Sequence, residues 1–459
     1  MSGSAIPAGQ QVVGALAMQQ KMNDVLRTVR NRATAFQRDK RGSIAIVFAL
    51  SLIVLVGFAG TAVDYGTAYR SRDMIQSAAD AASLSVVSVD SPSYQYAATL
   101  LADGPVPTAE AAARVAFNTE LAGLNQSMLV PMVTSTVLKT GAKLTSTVTF
   151  SVNVPTHFLG LFGVQTINVS GRSSSVNLLP VFLDFYLLLD NSPSMGVAAT
   201  QADIDTMVAN TPDQCAFACH DLSGTADYYT LAHNLGVTTR IDVLRQATQK
   251  LMDTAVATAT VARQFQMSID TFNMTTQSIS PLTSNLATAK ADANAIDLMS
   301  VPSQGWNNDR DTDFEVALND TTAKVGTSGT GVTWANRQKV VFYVTDGVSD
   351  QVLSTAGTIV AGASSQPGGD RLIQATDPDQ CGAMKARGIK IAVIYTTYLP
   401  LPTNAFYNSY VAAWRDEINP KLQACATPGY FFEVGPNQGI DTAMKALFLK
   451  AVAEARISS

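Results

Sequence analysis

The uncharged run at residues 42–63 constrains this chain more than any other part of its sequence. It is rich in Ile, Leu, Val, Phe and Ala, and a helix of this length crosses a hydrocarbon core of about 30 Å. Residues 1–41 hold seven basic and two acidic residues, so the positive-inside tendency places them in the cytoplasm. A cleaved signal peptide ending near Gly60-Thr61-Ala62 is the alternative, but the preceding segment and the apolar run are both too long for one. We expect an uncleaved anchor.

The charge of the remaining chain argues against nucleic acid as a partner. Of the 31 basic and 36 acidic residues in the 459-residue sequence, residues 42–459 hold 24 and 34. A folded part this acidic lacks the basic patch that nucleic-acid binding requires. The chain is also longer than one ordinary domain, which predicts two folded units. Its mean hydropathy of +0.13 is high for a cytosolic protein, and the membrane run explains part of it.

A carboxylate and two hydroxyls follow the mostly apolar run at residues 178–189. Asp190, Ser192 and Ser194 form a D-x-S-x-S sequence, which predicts a tight loop at the carboxyl end of a buried strand. Ligands of open α/β sheets bind at that edge of the sheet. All three side chains are hard oxygen ligands, and they favour Mg²⁺ or Mn²⁺ over zinc, with Ca²⁺ as a third alternative.

Two residues further along the chain extend this candidate site. Asp346 follows the nearly all-apolar run at residues 340–345, which is typical of a central parallel strand buried on both faces. Thr312 ends a polar loop and precedes an amphipathic helix whose first turn is acidic. The simpler alternative is that the serines and the threonine cap helices and that the aspartates end strands.

At these five positions the chain resembles a von Willebrand factor A domain with its metal-ion-dependent adhesion site. Asp190, Ser192 and Ser194 match the first loop of that site, Thr312 matches the second, and Asp346 the third. The resemblance implies a metal ion that keeps one coordination position for an Asp or Glu carboxylate of a partner protein. The repeated order of strand and then helix after residue 181 separately predicts an α/β fold with a doubly wound parallel sheet.

The segment around the apolar run resembles a second family. Asp64-Tyr65-Gly66 follows the run, and an alanine-rich stretch at residues 76–84 continues the helix. Together with the residues just before the run, residues 38–90 resemble the TadE/TadG-like amino terminus of tight-adherence, or Flp-type, pilus assembly proteins. Prepilin-like members have a glutamate five residues after the processed glycine, whereas Val47 stands at that place after Gly42. This departure points to the TadG branch, and a generic alanine-rich helix is the alternative.

The sequence predicts four segments with different roles. They are a cytoplasmic segment (1–41), a transmembrane helix (42–63), a helix with a small pilin-like β module (64–177), and a von Willebrand factor A-like domain (178–459) with an insertion at about 197–238. In the small module, residues 109–124 have helical periodicity, and residues 129–137, 144–154 and 164–176 alternate as strands with one wet face. The likeness to pilins is an analogy of fold alone.

Several elements of the last domain are also readable. Strands are predicted at residues 266–273, 276–282, 389–396 and 429–434. Thr239 and Asp242 resemble a capping box, although aspartate replaces the usual glutamate. Helices are predicted at residues 411–424 and 440–455, and Pro420 should kink or interrupt the first of them.

The four cysteines all lie beyond the apolar run, which agrees with export to an oxidising compartment. Four cysteines allow three disulfide connectivities. We expect Cys215 to pair with Cys219, and Cys381 with Cys425, because Cys381 opens one predicted helix and Cys425 ends the next, so that these helix ends can approach each other. Cys215, Cys219 and His220 could instead form half of a zinc site whose other ligands come from elsewhere in the chain.

Three loops at the carboxyl ends of the predicted strands carry aromatic residues. They are residues 197–238, 303–311 and 397–408. Aromatic residues on loops are typical anchors of protein interfaces. We therefore predict that Trp306, Tyr398, Phe406 and Tyr407 contact a partner. The alternative is that these rings pack beneath their own loops.

Enzyme functions are less favoured by the sequence. Ser192 and Ser194 lack a Gly-x-Ser-x-Gly elbow, and no phosphate-binding or dinucleotide-binding glycine pattern is present. The leading hypothesis is a non-enzymatic, structural or adhesive component of Tad/Flp pilus assembly in the bacterial inner membrane. Its partners would be pilus-assembly proteins or surface ligands, bound through an acidic residue. The alternatives are a membrane-anchored sensor or chaperone unrelated to pili, and a metal-dependent hydrolase.

Overall fold

In a computed structural model of the chain, the described residues are 9–38, 42–124, 129–216, 220–223, 227–303, 305–353, 359–360, 363–365, 369–398, 400–402, 404–435 and 439–458. The chain divides into two compact units. We call residues 1–79, 118–134 and 149–172 the anchor unit, and residues 80–117, 135–148 and 173–459 the sheet unit. The four segments predicted from the sequence stay a proposal about domain boundaries.

The described part of the chain opens with four helices, and the second contains the apolar run. They are α1 (Gly9–Arg38), α2 (Gly42–Ser85), α3 (Pro92–Thr99) and α4 (Pro107–Gly123). Because no proline interrupts it, α2 continues without a break for 44 residues, as the alanine-rich stretch predicts. Among the described residues, only the part from Ile44 onward is long and apolar enough to cross a membrane.

A four-stranded sheet follows the first helices. Its strands are β1 (Gly104–Pro105), β2 (Met132–Thr140), β3 (Lys143–Pro155) and β4 (Thr166–Leu178), in the order β1-β2-β3-β4. Every second side chain of β3 is buried, from Leu144 to Val154. This is the period of a strand with one wet face, so the three predicted strands and the helix near residues 109–124 are present.

The rest of the chain alternates strands and helices. Strands β5 to β15, in chain order, are Leu183–Asp190, His220–Asp221, Phe265–Phe272, Thr276–Thr283, Ser300–Val301, Gln338–Thr345, Val348–Val352, Ala363–Ser365, Arg371–Ala375, Lys390–Thr396 and Phe431–Val434. Helices α5 to α12 are Gln201–Asn210, Tyr228–Asn234, Arg240–Thr258, Leu286–Asp292, Phe314–Val325, Gly382–Ala386, Ile418–Cys425 and Ile440–Ser458. Thr239 and Asp242 form the predicted capping box at the start of α7.

The core of the sheet unit is a six-stranded sheet in the order β15-β14-β10-β5-β7-β8. All neighbouring pairs are parallel except β7 and β8. On one face Phe185 of β5 contacts Phe448 of α12, with ring centroids 4.9 Å apart. On the other face Tyr343 of β10 contacts Phe314 of α9 at 6.0 Å. Helices therefore cover both faces, and the predicted doubly wound α/β fold is confirmed.

The helix predicted at residues 411–424 is wrong in its first half. The structure has a π-helical turn at Tyr407–Val411, a 3₁₀ turn at Arg415–Glu417, and only then α11. Pro420 consequently lies in the first turn of α11, where a missing backbone N–H leaves no hydrogen bond unmade. The proline thus marks the start of a helix and does not kink one.

Candidate metal centre

Asp190 is the last residue of β5, and its carboxylate is completely buried. Its Oδ1 accepts hydrogen bonds from the backbone N–H of Ser192 at 3.0 Å and from the Ser192 hydroxyl at 2.6 Å. Its Oδ2 accepts a hydrogen bond from the hydroxyl of Thr345, on the neighbouring strand β10, at 2.7 Å. The loop after β5 and the end of β10 thus hold this carboxylate in one orientation.

Asp346 directly follows β10, the strand paired with β5, and it is also completely buried. Since Val344 pairs with Leu189, the two aspartates follow adjacent strands at the same edge of the sheet. The Oδ1 of Asp346 accepts a hydrogen bond from the N–H of Val348 at 3.2 Å. Its Oδ2 is buried and has no hydrogen-bond partner among the described residues. Such an atom is costly in a folded protein unless a ligand satisfies it.

The turn after Asp346 depends on a glycine. Gly347 has a φ of 82°, in the left-handed region that glycine adopts without strain. A Cβ at this position would also collide with the side chains of Ile418 and Leu422 in α11. The close packing of α11 against this turn therefore fixes where Asp346 lies.

The hydroxyl residues of the first loop lie beside Asp190. A short 3₁₀ turn at Pro193–Gly196 brings the hydroxyl oxygens of Ser192 and Ser194 to 3.0 Å from each other. Ser192 is completely buried, whereas Ser194 faces a cleft of about 300 Å³. The first loop is therefore arranged as the sequence predicts.

Thr312 comes from a different part of the chain and lines the same cleft as Ser194. Its backbone forms two hydrogen bonds with Asp350 of β11, at 3.0 and 2.8 Å. Its carbonyl also accepts a hydrogen bond from the hydroxyl of Ser349 at 3.0 Å. The next residue, Asp313, caps the start of α9 through the N–H of Val316. These contacts fix the second loop to β11 and α9 at the cleft that Ser194 also lines.

Burial and mutual repulsion dominate the electrostatics of the two aspartates. Burial, and then the charge of Asp346, raise the pKa of Asp190 above the usual range of an aspartate, against the hydrogen bonds from Ser192 and Thr345. Burial also raises the pKa of Asp346, and the Ser194 hydroxyl and the Arg240 guanidinium oppose that rise. Two buried carboxylates side by side are stable as anions only if a cation accompanies them.

The donor set fits a hard divalent ion. Asp190 and Asp346 supply carboxylate oxygens, and the other three predicted ligands supply hydroxyls. The unpartnered Oδ2 of Asp346 is the oxygen that a cation would satisfy. No group of three or more His, Cys, Asp or Glu side chains is placed to hold a metal in the described part of the chain. Any metal here would therefore depend on hydroxyl and water ligands in addition to the two carboxylates.

The structure has an acidic cluster beside Thr312 that the sequence does not predict. Asp350 forms a buried ion pair with Arg371 at 2.5 Å, and Arg371 also lies 3.4 Å from Asp309. Burial and the charges of Asp350 and Asp309 raise the pKa of Asp311 to about 7. All four residues line the cleft. Asp350 and Arg371 are on paired strands, and the sequence does not show which residues of the two strands face each other. The ion pair therefore could not be predicted from the residues near either side chain.

The loops predicted to contact a partner do meet around the cleft, but their aromatic residues differ in exposure. Phe406 and Tyr398 line the cleft, and Trp306 is 37% exposed. Tyr398 and Tyr407 are only 3% and 6% exposed, and their rings stack on each other with centroids 6.2 Å apart. These two tyrosines pack beneath their own loop, so Trp306 and Phe406 are the better candidates for partner contact.

The structure joins Cys381 and Cys425 in a disulfide, with Cα atoms 5.4 Å apart. The disulfide links the 3₁₀ turn at Pro378–Cys381 to the end of α11. Cys215 lines the cleft, whereas Cys219 lies outside the described residues. The pairing of Cys215 with Cys219, and the alternative zinc site, therefore stay predictions.

His157 and His233, the other two histidines of the chain, make contacts that support the fold. The ring Nε2 of His233 is 3.2 Å from a carboxylate oxygen of Asp242, at the start of α7. The backbone N–H of His157 donates to Asp64 in α2 at 2.9 Å. Asp64 is a residue that the sequence placed in a family motif without assigning it a role.

One segment of the chain matches a known protein family. Residues 42–89 match the TadE/G-like family of Flp pilus-assembly proteins. This match confirms the resemblance predicted for residues 38–90. No curated protein matches the chain significantly.

Several solved structures are similar to the chain at low sequence identity. The von Willebrand factor domain of the type V pili tip protein Mfa5 from Porphyromonas gingivalis is 11% identical over 60% of this chain and 97% of that one, with a TM-score of 0.36. BatB from Bacteroides thetaiotaomicron is 14% identical over 59% and 99%, with a TM-score of 0.32. Proximal thread matrix protein 1 from the mussel byssus, with a zinc-occupied MIDAS motif, is 15% identical over 60% and 48%, with a TM-score of 0.31.

Proposed function

We propose that this protein is a membrane-anchored, non-enzymatic component of Flp pilus assembly that holds protein partners through a divalent metal ion. The TadE/G-like match at residues 42–89 supports the pilus context. The observation that carries the metal site is the buried Oδ2 of Asp346, which has no hydrogen-bond partner among the described residues. A cation would satisfy that oxygen and offset the repulsion between Asp346 and Asp190.

Asp190, Ser192, Ser194, Thr312 and Asp346 would hold the ion, some of them through water. Mg²⁺ prefers six oxygens in octahedral geometry and keeps several waters, and Mn²⁺ accepts a similar set. When bound, the ion supplies an electrophilic position for the carboxylate of a partner's Asp or Glu. The hydroxyl ligands add no negative charge, so the ion stays strongly attractive to an external anion.

The cleft above Ser194 and Thr312 is the proposed entry for the partner residue. Trp306 and Phe406 lie on the loops around it and offer apolar contact surface. Interfaces commonly combine one desolvated charged contact with aromatic anchors near it. A partner segment with an acidic residue between apolar neighbours fits this surface.

The proposed location is the bacterial inner membrane, crossed once by α2 with residues 1–41 in the cytoplasm. The basic residues before the apolar run support this orientation. The Cys381–Cys425 disulfide supports it as well, because disulfides persist outside the reducing cytoplasm. The sheet unit then faces the periplasm or the cell surface.

Metal binding tests the site directly. In the full chain in nanodiscs, Asp190→Ala and Asp346→Ala should abolish the calorimetric signal of Mg²⁺ and Mn²⁺ binding. Asp416→Ala is the matched control, because the side chain of Asp416 is 97% exposed and lies outside the site. All three tryptophans are in the sheet unit, so their fluorescence reports whether that unit is folded. Unchanged metal affinity in both site variants would sink the assignment.

A second experiment separates the metal site from the pilus role. In a bacterium that assembles Flp pili with this protein, deletion of its gene should remove surface pili and adherence. Complementation with the Asp346→Ala variant should leave the defect, whereas Asp416→Ala should repair it. Normal pili in the deletion strain would contradict the pilus role without bearing on the metal site.

A further inference from the structure

The tip of the β3–β4 hairpin in the anchor unit is apolar and exposed. It is the short 3₁₀ turn at Leu159–Phe162 together with its neighbours Phe158 and Val164. Leu161 is 81% exposed and Phe162 is 62% exposed. The sequence has no Asp, Glu, Lys or Arg from residue 144 to residue 171. Large apolar side chains grouped in this way are unusual on a surface that faces water.

This tip lies against the membrane helix and not beyond its end. Leu161 and Phe162 line an apolar cleft of about 250 Å³ together with Leu52, Ile53, Val56 and Gly57 of α2. Those four helix residues belong to the uncharged run at residues 42–63, which is the part predicted to cross the bilayer. The exposed apolar surface of the tip is therefore continuous with that of the membrane helix.

Two contacts fix the tip in this position. The carboxylate of Asp64 in α2 accepts hydrogen bonds from the backbone N–H groups of His157, Phe158 and Leu159 at 2.9, 2.9 and 2.7 Å. One turn earlier in α2, a Cβ at Gly60 would lie 2.5 Å from the Cβ of Phe158. Glycine at this position is what allows the tip to approach the helix.

The depth of the tip follows from the geometry of α2. At a rise of about 1.5 Å per residue, Gly57 lies roughly 9 Å and Leu52 roughly 16 Å from Val63 along the helix axis. In a hydrocarbon core of about 30 Å, Gly57 lies within the leaflet on the Val63 side, and Leu52 lies near the midplane of the bilayer. The turn that touches these residues lies between the two depths.

We propose that the tip, residues 158–164, is inserted in the membrane, and that lipid acyl chains of the leaflet on the Val63 side cover Leu161 and Phe162. The inference rests on the membrane anchor of the proposed function. The inserted tip is a second contact with the membrane, and it prevents α2 from rotating freely about its own axis. Acyl chains remove the apolar side chains from water, which is favourable in proportion to the area covered. Asp64 thereby holds a membrane-inserted loop through its backbone.

Photocrosslinking in the full chain tests this proposal. A benzophenone amino acid replaces Leu161, and separately Phe162, in nanodiscs of phosphatidylethanolamine and phosphatidylglycerol with alkyne-tagged acyl chains. Phe58 of α2, which is 73% exposed, is the membrane control, and Leu222 of the sheet unit, which is 64% exposed, is the control outside the membrane. The expected result is lipid labelling at Leu161 and Phe162 close to that at Phe58 and several-fold above that at Leu222.

Each other outcome overturns the proposal in a distinguishable way. Labelling at Phe58 together with background labelling at both tip positions would leave the anchor standing and remove the inserted tip. Protein–protein adducts at the tip in place of lipid adducts would mean that a second copy of the chain covers it. Background labelling at Phe58 as well would remove the membrane anchor and the inserted tip together.

Discussion

At the scale of single residues, the two buried aspartates dominate the candidate site. Asp190 has hydrogen-bond partners on both oxygens, whereas Asp346 has one oxygen without a partner among the described residues. Burial raises the pKa of both carboxyls, and the charge of Asp346 raises that of Asp190 further. In the metal-free protein, the pair therefore resists ionisation of both members at once.

This repulsion has a consequence for stability. A carboxyl whose pKa is raised in the folded state binds its proton more tightly there than in the unfolded chain. Stability of the metal-free protein therefore falls as the pH rises from the usual aspartate range to the raised pKa. We predict that metal-free Asp346→Asn is more stable than the wild type at pH 8, by an amount on the order of the 0.5–3 kcal/mol that single substitutions typically change. The difference should shrink towards pH 4, where the wild-type carboxyls are protonated.

Thermal unfolding followed by tryptophan fluorescence measures this difference in chelator-treated protein. Saturating Mg²⁺ should reverse the order of the two proteins, because only the wild type gains binding energy from the ion. Asp416→Asn, at an exposed position, should follow the wild type under every condition. Equal stability of the wild type and Asp346→Asn from pH 4 to pH 8 would mean that the two carboxyls do not interact.

The sequence predicts where Asp190 and Asp346 lie in the fold better than it predicts what surrounds them. Asp190 and Asp346 each follow an apolar strand, and that position alone brings them to one edge of a parallel sheet. The ion pair of Asp350 with Arg371 and the contacts of Asp64 with residues 157–159 depend on pairings between distant segments. The burial of Tyr398 is equally difficult to predict, since the sequence of a loop does not show whether its aromatic side chains point into the core or into solvent.

At the scale of elements, periodicity predicted all six strands of the largest sheet, but not the separate three-stranded sheet of β11, β12 and β13. Runs that are buried on both faces, such as β5 and β10, have no competing interpretation when turn residues flank them. The helix expected at residues 411–424 is the exception, because a proline inside an apolar helical pattern predicts an interruption within one helix. Proline is equally suited to the first turn of a helix. The sequence does not distinguish these two positions, and the start of α11 depends on how the helix packs under the Gly347 turn.

The Cys381–Cys425 disulfide is the covalent link between two such elements, and it spans 44 residues of sequence. A loop of this length restricts the unfolded chain, and removing a disulfide of this kind costs typically about 2–4 kcal/mol. We predict that Cys381→Ser with Cys425→Ser lowers the thermal midpoint of the sheet unit by the corresponding amount. In a Cys215→Ser background, where no second disulfide can form, reduction of the protein with Cys381 and Cys425 intact should produce the same shift, and reduction of the double variant should produce none. A double variant as stable as the wild type would show that packing alone holds α11.

At the scale of the whole molecule, the basic segment, the apolar run and the disulfide all bear on orientation in the membrane. Residues 1–41 are basic, and all four cysteines follow the apolar run. We predict that a reporter active only in the periplasm is active when fused after residue 459. The same reporter fused after residue 41, in a chain truncated there, should be inactive. An inactive carboxyl-terminal fusion, expressed at the same level, would overturn both the orientation and the proposed compartment.

The final prediction concerns which side of the sheet unit meets the partner. Trp306 lies on a loop beside the cleft and is 37% exposed, whereas Trp334 is 50% exposed in the segment that leads into β10. Because β10 runs from this segment towards Asp346, Trp334 lies at the opposite edge of the sheet from the candidate metal site. The two tryptophans are thus a matched pair of exposed indoles, and only one of them is near the site.

We expect Trp306→Ala to weaken capture of pilus-assembly partners by roughly tenfold, the loss of one moderate interface anchor. Metal affinity should stay unchanged in that variant, because Trp306 is not among the predicted ligands. Trp334→Ala should change neither partner capture nor metal affinity. Equal capture by both variants would move the partner surface away from the metal edge, whereas a loss in Trp334→Ala alone would place it at the amino edge of the sheet. Partner capture and metal binding are measured separately. The experiment therefore distinguishes an incorrect assignment of the partner surface from an incorrect assignment of the metal site.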